Sequence, residues 1–154
     1  HADVSVPRSK QYLWTQVDIS QIGGNTAVPS RTVNLGAALP AGAILTNVYV
    51  YINTQFASSG NESLALQCSG TRDLMDYVAM KDVPADRMFA AELSQATFNG
   101  AAAPIAPSPT VLNLSQGFVS VPAACNVTAV IRGDAGQTAY TAGSATVILE
   151  YFKR

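Results

Sequence analysis

Leu39-Pro40-Ala41-Gly42-Ala43-Ile44-Leu45-Thr46-Asn47-Val48-Tyr49-Val50-Tyr51-Ile52-Asn53-Thr54 is the stretch that decides the fold class. A Pro-Ala-Gly turn runs directly into a β-branched and aromatic run. Ile44, Thr46, Val48, Val50 and Ile52 share one parity, and Leu45, Asn47, Tyr49, Tyr51 and Asn53 share the other. A period of two over ten residues predicts a strand with one buried and one more polar face. Pro40 donates no ladder hydrogen bond and Gly42 tolerates positive φ, so the pair marks where the strand begins.

The same alternation recurs on both sides. It predicts strands over residues 12–19, 31–35, 43–53, 63–68, 110–114, 118–121, 125–131 and 144–152, with turns at Gly23-Gly24-Asn25 and Ser58-Ser59-Gly60-Asn61. Residues 73–80 are compatible with helix or strand. Pro84 opens a predicted short helix to residue 93, whose buried face would carry Phe89 and Leu93. Residues 98–109, with Pro104, Pro107 and Pro109, predict an extended surface loop. The expected fold is all-β: an antiparallel jelly-roll-like β-sandwich with one short helical insertion. It forms a single domain over residues 11–154, preceded by an N-terminal arm, 1–10.

The 154 residues suffice for one domain with a sizeable core. Hydrophobic residues make up 48% and charged residues only 12%, and the low charge points to a surface partly covered by neighbours in an assembly. With a net charge of −1 and no basic stripe, the chain lacks the electrostatic footprint of nucleic-acid binding. No apolar run or basic amphipathic stretch indicates a membrane role. The first residues lack a secretory-signal pattern, and His1 reads as a tag remnant ahead of Ala2-Asp3-Val4-Ser5. Cys68 and Cys125 sit in apolar alternating runs and read first as buried free thiols; a disulfide requires facing strands, which spacing does not establish.

Chemical motifs are few. Arg132-Gly133-Asp134 matches the integrin tripeptide, but Gly and Asp also end strands. Asn61, Asn113 and Asn126 begin glycosylation-type tripeptides and read as unmodified. Asp73, Asp76, Asp82 and Asp86 lie among Arg72, Lys81 and Arg87, which suits solvated ion pairs better than a cation site. Nothing marks Glu62, Glu92 or Glu150 as paired catalytic carboxylates, and without His1 no Ser/His/Asp or Cys/His set exists. No catalytic, cofactor-binding or metal-binding residue is therefore nominated, and the chain is expected not to be an enzyme. Tyr12 and Trp14, with Tyr49 and Tyr51, could form a stacking platform for sugar rings; the favoured reading makes Trp14 core and the tyrosines inter-subunit contacts. The contact candidates are Pro7, Arg8 and Lys10 on the arm, Tyr49 and Tyr51 on the strand, and Met75 and Tyr77 in the insertion.

Three segments carry a resemblance. Thr32-Val33-Asn34-Leu35-Gly36 followed by Leu39–Ile44 and a Val-x-Val strand, the exit Asn53-Thr54-Gln55-Phe56, and the closing Thr141-Ala142-Gly143-Ser144-Ala145-Thr146-Val147-Ile148-Leu149-Glu150-Tyr151 together resemble structural proteins of tailed bacteriophages. The likeness covers residues 31–68 and 123–152 and rests on packing motifs. It implies a β-sandwich knob of a virion: a capsid cement or decoration protein, or a head fibre. Such a knob would bind the major capsid protein on the outer surface of the capsid, commonly as a trimer. The alternative it leaves open is a receptor- or glycan-binding module of a phage fibre.

Overall fold

Alternating apolar residues make strands throughout the computed structural model, which describes residues 9–23, 30–68, 72–91, 119–120, 123–133 and 139–153. In chain order these are β1 (Lys10–Asp18), one helical turn α1 (Ile19–Ile22), β2 (Ser30–Leu39), β3 (Ile44–Ser58), β4 (Ser63–Cys68), β5 (Arg72–Val78), a 3-10 turn (Met80–Asp82), β6 (Met88–Ala91), β7 (Val119–Ser120), β8 (Cys125–Arg132) and β9 (Tyr140–Phe152). One sheet has the order β1-β9-β3-β6, with the two-residue β7 on the same side of β3 as β6. The other has the order β2-β8-β4-β5, and every pairing is antiparallel.

The pairing is nested. With β7 set aside, the first strand pairs with the last, the second with the next to last, the third with β6, and β4 with β5. A long hairpin rolled up so that its strand pairs alternate between two sheets is a jelly roll. The expected all-β sandwich is the observed one. Its core lies between the sheets: Val17, Val48, Val50, Ile52, Phe56, Val147 and Leu149 from one side, and Leu35, Leu64, Leu66, Leu74, Val127 and Ile131 from the other.

Four local expectations are corrected. Strand β3 does not keep one parity. Leu45 pairs with Tyr151 and Asn47 with Glu150, so Thr46 is an extra residue, a β-bulge. The bulge turns Leu45, fully buried, to the same side as Val48 and leaves Ile44 only half-buried. The turn before it is as expected: the Ala43 N–H donates to the Pro40 carbonyl at 3.2 Å, and Gly42 has a φ of 80°.

The helix expected over residues 84–93 is instead a turn and strand β6. The Asp86 N–H donates to the Ile52 carbonyl at 2.8 Å, and the Ile52 N–H donates to the Arg87 carbonyl at 2.9 Å. Asp86 sits at a φ of 60°, which a right-handed helix cannot contain. An open edge of β3 offers a row of backbone partners, and that tertiary offer outweighs a weak local helix signal. Phe89 packs against the core from this strand, whereas Leu93 lies outside the described residues.

The α-helical turn occurs where a strand end was expected, at Ile19. Asp18 caps it: its carboxylate accepts from the Ser20 N–H at 2.9 Å, and Gln21 Oε1 accepts from the Asp18 N–H at 2.9 Å. This reciprocal box ends β1.

The cysteines are not free thiols. Cys68 and Cys125 form a disulfide, with their α-carbons 5.1 Å apart. Cys68 faces Val127 across the β4–β8 ladder, and Cys125 lies two residues further along β8 on the same face. The bridge therefore staples neighbouring strands of one sheet diagonally, across a sequence separation of 57. The predicted strand at residues 110–114 and the loop at 98–109 lie outside the described residues.

Gly143, in the closing strand, has a φ of 133°, and a β-carbon there would overlap the Phe56 ring. That close approach lets Phe56 meet Tyr140 edge-on, with ring centroids 5.3 Å apart.

A candidate interaction face on the outer side of the first sheet

Register places side chains in rows across the outer side of the first sheet. Trp14 pairs with Ile148, Ile148 with Tyr49, and Tyr49 with Ala90, giving one apolar row over four strands. On one side of it runs Tyr12, Glu150 and Asn47. On the other runs Gln16, Thr146, Tyr51 and Met88. Trp14, Tyr12 and Met88 are the large apolar side chains left exposed among the described residues, at 62%, 51% and 58%. All three lie in these rows.

Trp14 is thus not core, contrary to the favoured sequence reading. The signal for its exposure was present: Trp14 alternates with Thr15 and Val17, both buried, and shares its parity with Gln16.

The polar groups of the face bond to one another. Gln16 Nε2 donates to Thr146 Oγ1 at 3.2 Å, and Thr146 Oγ1 donates to Asn53 Oδ1 at 2.9 Å. The Tyr51 hydroxyl donates to Asp86 Oδ1 at 3.0 Å, which pins the turn into β6 and raises the phenol's pKa. On the far row the bulge residue Thr46 donates to Glu150 Oε1 at 2.6 Å, and Asn47 Nδ2 donates to the same oxygen at 2.9 Å. The Thr46 hydrogen bond, helped by Asn47 and by Lys10 Nζ at 3.5 Å, holds the Glu150 carboxyl below its usual pKa against the opposing effect of burial. Glu150 is therefore an ionised carboxylate, largely covered, at one margin of the face.

The nominated contact residues separate in space. Tyr49 and Tyr51 lie on this face, and Lys10 opens β1 at its margin. Tyr77 is in β5 of the other sheet, beneath the Arg132 guanidinium at 4.2 Å from the ring centroid. Met75 is buried between the sheets and cannot reach a partner, because the bulged β4–β5 pairing turns it inward against Leu66. Pro7 and Arg8 lie outside the described residues.

The other motifs find no chemical setting. Arg132 of the Arg-Gly-Asp sequence ends β8 and is engaged with Tyr77, and Asp134 lies outside the described residues. Glu62 and Glu150 are not paired: the Tyr140 hydroxyl donates to the Glu62 carbonyl at one end of β9, and Glu150 is at the other end, roughly 30 Å along the strand. Glu92 is outside the described residues. Among the described residues no group of three or more His, Cys, Asp or Glu side chains is placed to hold a metal ion.

This fold occurs in a phage capsid. A chain of the solved acidic stable capsid structure of Helicobacter pylori bacteriophage KHP30 is similar over 95% of this chain and 90% of its own length, with a TM-score of 0.54 and 12% identity. A chain of the cyanophage Pam1 capsid asymmetric unit is similar over 97% of this chain and 89% of its own, with a TM-score of 0.43 and 19% identity. No family model and no curated protein matches the sequence. At such identities the KHP30 likeness is one of fold.

Proposed function

We propose that this protein is a structural component of a phage virion, a cement or decoration protein bound to the outside of the head. The observation that carries the reading is the jelly roll shared, over nearly the whole chain, with a chain of the KHP30 capsid. The low charged fraction of 12% supports it, since a surface covered by neighbours needs little charge for solubility.

The proposed partner is the major capsid protein, and the proposed form is a homotrimer. The contact elements would be the 1–10 arm and the 73–93 segment. Lys10, the last residue of the arm, opens β1 at one edge of the first sheet, and the segment contains β6 at the other. A knob using both edges touches two neighbours, as bridging a junction between capsid subunits requires. Each contact contributes modestly, and symmetry repeats it over the shell. The role is mechanical and calls for no catalysis.

Immunogold labelling of purified virions with an antibody to this domain tests the proposal. Regular label over the head, with heads lacking the protein rupturing at lower temperature, is the expected result. Label confined to the tail, or on no particle, overturns it.

A further inference from the structure

We infer that the outer face of the first sheet is a binding platform for a neutral linear oligosaccharide, lying along the row Trp14, Ile148, Tyr49 and Ala90. Three observations select this occupant. The first is shape. The central row offers ring faces and aliphatic surface, and hydrogen-bonding groups flank it on both sides: Gln16, Thr146 and the Tyr51 hydroxyl on one, Tyr12 and Asn47 on the other. A sugar ring has the same division, apolar on its faces and hydroxyl-bearing around its rim. Trp14 and Tyr49 are two strand spacings apart, about 10 Å, so one chain can meet both with different rings.

The second is charge. Lys10 and Glu150 offset each other at the margin, and the carboxylate of Asp86 accepts from the Tyr51 hydroxyl. The face therefore presents no excess of positive charge to attract a phosphorylated or acidic polymer. The third is size. Three strand spacings by two row spacings cover about 14 Å by 14 Å, on the order of 200 Å². A stable protein interface takes about 800 Å² per partner. These three rows by themselves are too small for a second copy or a capsid subunit and large enough for a few sugar rings. The inference does not depend on where in a particle the protein sits.

Trp14 is the chain's single tryptophan, so its emission reports this face and no other. The experiment titrates the full chain with cellohexaose, maltohexaose and chitohexaose, following that emission. A saturable change with at least one of them is expected. Its midpoint should weaken about 10-fold or more in Tyr49→Ala, with Tyr49→Phe intermediate, and stay unchanged in Thr32→Ala on the second sheet. Circular dichroism of each variant separates lost binding from lost folding. No change with any of the three sugars up to about 10 mM overturns the inference. So does concentration-dependent self-association, or capture of purified capsid protein, that Trp14→Ala abolishes, because either makes the face a protein contact.

Discussion

The two outer faces of the sandwich follow the same alternation rule, yet the middle of the second is covered while the first is largely open. On the first sheet, the outward residues Tyr12, Trp14 and Met88 are exposed. On the second, the outward pairs Ala65 with Val130 and Gln67 with Thr128 are all buried, the least so at 6%. Thr128 Oγ1 donates to the Gln67 carbonyl at 3.1 Å, so that buried hydroxyl is satisfied. Alternation says which residues share a face. It does not say whether the face is covered, because a two-residue period carries no record of what packs on it. The uncovered face is the one available for recognition, and the covered one contributes to stability.

Substitutions on the two faces should separate these roles. The largest effect belongs to Val130→Asp, which places an unpaired charge on the covered face. It should cost about 3–5 kcal/mol or prevent folding, whereas Trp14→Asp should cost under about 1 kcal/mol; urea unfolding measures both. Equal costs would mean that the faces do not differ.

Removing the disulfide with Cys68→Ala/Cys125→Ala should destabilise the domain by about 2–5 kcal/mol. Hydrogen exchange sharpens the comparison here. Protection should fall first in β4 and β8, the strands the bridge joins, and less in β1 and β9.

A smaller effect is the pH dependence of the open face. The folded pKa of Glu150 lies below the ordinary value of 4.5, so its contribution is fully present above that pH. As pH falls below 4.5 and through the folded pKa, the contribution is lost. Glu150→Gln should therefore be less stable by about 1 kcal/mol at neutral pH, and its difference from the parent should shrink under acid. Thermal unfolding across a pH series gives the slope; a constant difference would remove the Thr46–Asn47–Lys10 network as its cause.

The smallest effect is that of Trp14→Ala on stability, within about 0.5 kcal/mol, because an exposed side chain leaves little behind when it is removed. Calorimetry showing a loss of several kcal/mol would place Trp14 in a packed setting after all.

Much of the architecture was legible in the chain. The strands over 12–19, 63–68, 125–131 and 144–152 match β1, β4, β8 and β9 to within a few residues, since alternation is local and strong there. The Pro40–Gly42 turn and the alternation along residues 144–152 were equally local. The candidate face was legible only in part. Tyr49 and Tyr51 read as outward, but Trp14 was assigned to the core on residue type, against its own parity with Gln16. Type is a poorer guide than parity, because a large aromatic on an outward position can only be exposed or covered by something else.

What the sequence determined by itself is most of the strands and, within an unbulged run, which side chains share a side, because each depends on dihedral preferences and a two-residue period within one segment. What only the tertiary structure decided is everything that needs register between segments far apart. The bulge at Thr46 exists to match β3 to β9, around Glu150. Residues 88–91 are strand because β3 has an edge to complete. Cys68 meets Cys125 because β4 and β8 are neighbours. The row from Trp14 to Ala90 takes one residue from each of four strands, whose alignment no local pattern records. Pairing energy and burial are summed over the whole sheet, and that sum chooses among registers that single strands leave equivalent.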